Sequence, residues 1–175
     1  TSKTSYFNFS KEKGLQGKRF GAPKRLLEDT LYTKALNVLK NQGATIVEIE
    51  EEKLGLPNFL RLLNIDMKKD LPEYFSRAAN SNLKMKSVDD VIAFNKQDSV
   101  NRMPYGQSLF HGIANDKGDS NYLEAIKDTL KTNGMAYFNK PMNAYNLDGF
   151  LSINNYHAAF AAVAEFPALT VPMGY

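Results

Sequence analysis

The sequence of 175 residues contains no cysteine. That excludes a disulfide scaffold, a thiolate zinc site, an iron–sulfur cluster and a cysteine nucleophile, while leaving the compartment open. No apolar run approaches the roughly 20 residues that would span a bilayer. Thr1 to Ser10 carries Tyr6, Phe7 and Phe9 but lacks the apolar core of a signal peptide. Charge of one sign is scarce as well. The net charge is only +3. The densest basic clusters, Lys11-Glu12-Lys13, Lys18-Arg19, Lys24-Arg25 and Met67-Lys68-Lys69, have acidic neighbours or sit in turns. They form no continuous basic face, so the sequence argues against a nucleic-acid partner.

Familiar catalytic signatures are missing too. There is no Gly-x-Ser-x-Gly elbow, no Gly-rich phosphate loop and no His-Glu-x-x-His. The only histidines are His111 and His157. Two isolated histidines make no metal site without acidic partners, so no metal or cofactor is expected. His157, at the start of an alanine-rich helix, reads as packed or capping. Asp89 and Asp90 point to different sides of a helix and read as end charges rather than an acid–base pair. Asp66 and Asp70, four apart and flanked by lysines, read as a solvated face. Serines and lysines are plentiful, but none stands in a sequence context that would activate it. The acidic run Glu48 to Glu52 reads as a strand end entering a loop, not a metal cage.

What is present is an α/β pattern. The composition, 43% hydrophobic and 23% charged, is that of an ordinary globular chain. Leu15 to Pro23 reads as a short strand. Asp29-Thr30 can cap a helix bearing Leu31, Ala35, Leu36, Val38 and Leu39, with Gly43 just past its end. Ala44 to Ile49 is a β-branched strand, so this stretch predicts strand–helix–strand with parallel pairing. The middle is helical. Asn58 to Asn64 is one helix, Pro72 begins another, and Ser87 caps a third carrying Val91, Ile92 and Phe94. Gln107 to Ala114 and Asn121 to Asn133 are further amphipathic helices. Leu147 to Ile153 reads as a buried strand, Tyr156 to Phe166 as a helix buried on most sides, and Ala168 to Pro172 as another strand. These units predict a mixed, mostly parallel sheet covered by several helices.

One stretch is more specific than its pattern. Ala158 to Tyr175 closely resembles the late segment of amidase signature family enzymes, where a small-residue helix leads into a strand ending Thr-Val-Pro-x-Gly. Other pieces fall in the family's order. Leu15 to Pro23 resembles its Leu-x-Gly-x-Arg-Ile-Gly-Val-Pro strand, and Ala35 to Val47 its next helix–strand step. Ser87 to Asn95 is similar to its Leu-x-Asp-Ile-Ile-x-Phe-Asn helix. Met103 to Gln107 matches a family turn, and Leu147-Asp148-Gly149 resembles its Leu-Asp-Ala. The departures are Ser152-Ile153-Asn154-Asn155, where the family usually has Pro-Thr, and Glu165-Phe166, where it has Gly-Tyr.

The resemblance implies an amidase fold over residues 15–175, after an irregular lead-in over 1–14. It also implies a parent enzyme that cleaves amides with a Ser–cis-Ser–Lys triad. The Gly-Gly-Ser-Ser-Gly-like signature of that triad does not occur here, so no catalytic residue is carried over. The expectation is a post-signature segment, truncated at both ends and inactive alone. Its partners would be the remainder of the amidase fold and a small-molecule amide. Ile153, Asn154 and Asn155 would line the acyl side of the cleft; the competing reading makes Asn154 or Asn155 a helix cap. A non-catalytic α/β binding module and the amidase subunit of a tRNA-dependent amidotransferase are the alternatives.

Overall fold

The computed structural model describes residues 14–172. The lead-in before Gly14 and the closing Met173-Gly174-Tyr175 lie outside the described residues. In chain order the elements are β1 (Arg19–Pro23), a 3-10 turn (Lys24–Leu26), α1 (Thr30–Asn41), β2 (Thr45–Ile49), α2 (Phe59–Arg77) and α3 (Val88–Lys96). Then come α4 (Ser99–Arg102), α5 (Ser108–Asn115), α6 (Ser120–Tyr145), β3 (Gly149–Phe150) and α7 (Ala158–Val163). They divide into two compact units. One comprises the residues up to Leu56 and those from Lys131 onward; the other is Pro57–Leu130.

The first unit holds a three-stranded sheet in the order β2-β1-β3. Both pairings are parallel, with Phe20 opposite Ile46 on one side and Gly149 on the other. Local chemistry explains the strand–helix–strand step. The Asp29 carboxylate accepts from the Tyr32 backbone N–H and starts α1. Gly43, at φ +93°, turns the chain out of α1 in a conformation that a side chain disfavours. One core cluster forms beneath the sheet from Ala22, Leu26, Tyr32, Leu36 and Ile153. A second gathers Tyr137, Phe138 and Ala164 with Phe150 and Phe160 packed against it.

Asp148 ties β3 to β1. It accepts from the Arg19 N–H at 2.9 Å and from Lys18 Nζ at 2.8 Å, while Arg19 donates to the Tyr145 carbonyl at the end of α6. The Leu147-Asp148-Gly149 motif is therefore a sheet clasp.

The second unit is helical. Ser87 caps α3 by accepting from the Asp90 N–H, with Asp89 and Asp90 in the first turn where the helix dipole favours negative charge. Val88, Ile92 and Ile113 form its core cluster, against which Leu71 and Phe110 pack.

Four sequence expectations are corrected. Pro72 does not begin a new helix but lies inside α2, which runs unbroken to Arg77. Proline removes one backbone donor, yet its neighbour Leu71 is held by the α3–α5 cluster, and packing prevails. The helix expected over Asn121 to Asn133 continues to Tyr145, through Pro141. The alanine-rich helix is shorter than expected, at Ala158–Val163, and only half buried. Ala168 to Pro172 forms no strand: it pairs with no described residue, and Leu169 is 90% exposed. An apolar run becomes a strand only where a ladder partner meets it.

Candidate functional site

The first unit brings together five side chains that stand far apart in sequence. Glu51 follows β2, Arg25 lies in the 3-10 turn, Tyr137 in α6, and Ser152 and His157 flank the turn between β3 and α7. Glu51 is the hub. It accepts from Arg25 Nε at 2.7 Å and Nη2 at 3.0 Å, and from the Tyr137 hydroxyl at 2.6 Å. His157 Nε2 sits 2.7 Å from Glu51 Oε1. On the other edge of the ring, His157 Nδ1 meets Ser152 Oγ at 2.5 Å.

The charge states follow from these contacts. Hydrogen bonding by Arg25 foremost, then by Tyr137 and His157, outweighs burial and lowers Glu51 to about 2. An ionised carboxylate only accepts, so His157 Nε2 must carry a hydrogen. In the neutral ring Nδ1 is then bare and accepts from the Ser152 hydroxyl. Arg25 Nη2 also lies 3.5 Å from Nε2, but two donors face each other there and no bond forms. Burial and the Glu51 charge push the Tyr137 phenol well above its ordinary value.

Packing fixes the imidazole. His157 is only 5% exposed, against the rings of Tyr137 and Phe150 at 5.8 and 5.1 Å. Tyr137 in turn stacks on Phe160 of α7 at 4.0 Å. Ser152, Asn154, Asn155 and Tyr156 are exposed. The turn places a buried base beside the hydroxyl of an exposed residue.

The three residues expected to line a cleft separate here. Ile153 is buried with Ala22, Leu26 and Tyr32, so it anchors the turn rather than lining a surface. Asn154, at φ +52°, and Asn155 are exposed at its crest. The N-cap position of α7 is His157, without a side-chain cap bond, so neither asparagine fills the competing capping role. His157 is packed, as read from the sequence, but its side chain does not cap. The reading that no serine has an activating context is corrected: Ser152 meets a base that arrives five residues later. The acidic run does enter a loop, where three of its members pair individually. Glu50 meets Lys24, Glu51 meets Arg25, and Glu52 meets Lys140.

Elsewhere the chemistry is structural. In the helical unit Asp116 accepts from Arg61 Nε and Nη2 at 3.2 and 3.0 Å and from the Gly118 N–H, and Arg61 Nη1 donates to the Tyr122 hydroxyl. Arg61 foremost lowers Asp116 to about 2. The clefts of that unit, one lined by Asp70, Glu73, Tyr74 and Arg77, bring no nucleophile to a base. His111 is exposed. Among the described residues no group of three His, Cys, Asp or Glu side chains could hold a metal ion, and no helix is long and apolar enough to cross a membrane.

A parallel sheet flanked by helices, with an Ala-rich helix after its last strand, defines an amidase-like α/β fold. Comparison with solved structures gives that fold its relatives. An amidase family protein from Bacillus anthracis str. Ames aligns at a TM-score of 0.82 and 29% identity, over 99% of this chain and 35% of its own. Native peptide amidase from Stenotrophomonas maltophilia aligns at 0.74 and 27%, over 93% of this chain and 37% of its own. The peptide amidase PAM, in complex with the competitive inhibitor chymostatin, aligns at 0.70 and 26%, over 93% and 38%. These likenesses bear out the resemblance to the amidase signature family read from the sequence. The chain spans little more than a third of the length of these solved relatives. No family model matches the chain, and a search of curated proteins returns none.

Proposed function

We propose that this chain is part of a serine amidohydrolase that hydrolyses a carboxamide C–N bond, and that it supplies sheet, helical cover and one wall of the substrate cleft. The observation that carries this reading is the alignment of nearly the whole chain on about a third of an amidase family protein. The Gly-Gly-Ser-Ser-Gly-like signature is absent from the sequence, so the acylated serine and its lysine come from another part of the protein. That serine attacks the amide carbonyl, backbone N–H groups stabilise the oxyanion, and ammonia or an amine departs. Asn154 and Asn155 reach the acyl side of the substrate from the crest of the turn, which Ile153 and the His157–Glu51 contact hold in place. Peptide amides, suggested by the peptide amidase neighbours, are the first substrates to try.

Ammonia release from a peptide amide by a longer protein containing this segment tests the reading. Asn154→Gly, which keeps the positive φ, with Asn155→Ala is expected to lower kcat/KM about tenfold, the scale of one or two lost hydrogen bonds, with the unfolding midpoint close to that of the parent. Unchanged turnover with a lowered midpoint would make both asparagines purely structural.

A further inference from the structure

The contacts from Ser152 through His157 to Glu51 hold chemistry that the proposed amide hydrolysis does not use. We propose that Ser152 is a second nucleophile of this protein, acylated by activated esters, with His157 as its base and Glu51 as the group that orients that base. An activated serine needs a base within hydrogen-bond reach and a third group that fixes the base. All three are present. Ser152 Oγ lies 2.5 Å from Nδ1 on an exposed residue, and the imidazole is buried between Tyr137 and Phe150. The Glu51 carboxylate holds the hydrogen on Nε2, leaving the Nδ1 lone pair for the hydroxyl proton.

The step balances without a further reactant. Ser152 Oγ bonds to the ester carbonyl carbon as its proton passes to Nδ1. The bond to the leaving alcohol breaks, and the alcohol takes that proton. Water, deprotonated by the same Nδ1, then releases the acid and restores the hydroxyl. Charged and polar groups surround the transient imidazolium. Glu51 and the Tyr137 hydroxyl face it from β2's end and α6, and Arg25 faces it from the 3-10 turn at 3.5 Å. Glu51 attracts the imidazolium and Arg25 repels it, although Arg25 is itself paired to both Glu51 oxygens. A phenol, being a good leaving group, departs with little acid assistance and takes the Nδ1 proton, which frees Nδ1 to deprotonate water. The substrates are aryl esters, whose leaving groups need little acid assistance.

Two measurements test this, and neither reads amide hydrolysis, so each proposal can fail alone. The protein is treated with an alkyl fluorophosphonate, digested, and mapped by peptide mass spectrometry. An adduct on Ser152 is expected, at least tenfold reduced in the His157→Gln variant. In the second, Ser152→Cys places a thiol beside the same base, and iodoacetamide alkylation of that peptide is followed against pH. A free thiol is only a few per cent thiolate near neutrality, so a paired one should alkylate about tenfold faster at pH 7 than in Ser152→Cys with His157→Gln. The pH midpoint should also move downward when His157 is present, a shift that packing alone does not produce. Absence of the Ser152 adduct in the folded protein, or equal alkylation rates with and without His157, would overturn the proposal.

Discussion

Replacing Glu51 by Gln removes the charge on which Arg25, Tyr137 and His157 converge. The variant keeps the size and one acceptor. It also turns an amide NH2 toward a donor, either Arg25 or the Tyr137–His157 pair. Arg25 is half exposed and recovers water, so its loss is small. Tyr137 and His157, buried at 3% and 5% exposure, both donate to Oε1, so with the Gln oxygen at that position both keep an acceptor, now neutral instead of charged. Exchanging charge-assisted bonds for neutral ones costs about 1 kcal/mol each, so a loss of about 1–2 kcal/mol is expected. Acid dependence gives an independent figure. Glu51 sits at about 2 in the folded protein against an ordinary 4.5. That difference corresponds to roughly 3 kcal/mol, and partial exposure reduces it to roughly 1–2. Because the folded value is depressed, this stability is fully present above pH 4.5 and is lost as the pH falls toward 2. Urea unfolding followed by circular dichroism from pH 7 to pH 2.5 reads both quantities. Glu51→Gln should lower the midpoint at pH 7 and flatten the acid limb. A variant with the midpoint and acid limb of the parent would refute the hub.

Other expectations follow from single contacts. At Gly134 in α6 a Cβ would meet Val163 Cγ2 at 2.6 Å, Ala164 N at 2.9 Å and Phe160 O at 3.0 Å, all belonging to α7 and its end. Gly134→Ala gains about 1 kcal/mol of helix propensity but incurs about 1–3 kcal/mol of overpacking against backbone that cannot yield. Thermal unfolding should therefore show a lower midpoint, where an exposed helical glycine would show a higher one. Asp116→Asn breaks the two-pronged Arg61 contact and should destabilise the helical unit by about 2 kcal/mol, read as faster amide exchange in α5. Ser87→Ala should cost α3 about 1 kcal/mol, visible as faster exchange of the Asp90 amide.

Elements built from local chemistry were legible in the sequence. The Asp29 and Ser87 caps, the Gly43 exit and the β-branched Thr45-Ile46-Val47 run each act within a few residues, and each formed as expected. The errors fall where tertiary context decides. Pro72 reads as a boundary, but Leu71 is packed into a neighbouring cluster. Ala168 to Val171 reads as a strand, but no described residue pairs with it. The charged hub was hidden for another reason. Arg25, Glu51, Tyr137 and Ser152 are scattered, and Glu51 sits in an acidic run that resembles a solvated strand end. The available signal was His157, a lone histidine within a nearly continuous apolar stretch. A buried imidazole needs partners for both nitrogens, and that requirement pointed toward a serine and a carboxylate.

The central proposal is that this chain is part of a carboxamide hydrolase whose acylated serine for that reaction lies outside residues 1–175. Ammonia release from a peptide amide, measured side by side for this chain and for a longer protein containing it, tests that claim most directly. Turnover by the longer protein alone is the predicted result. Turnover of the amide by the 175-residue chain itself would contradict the claim.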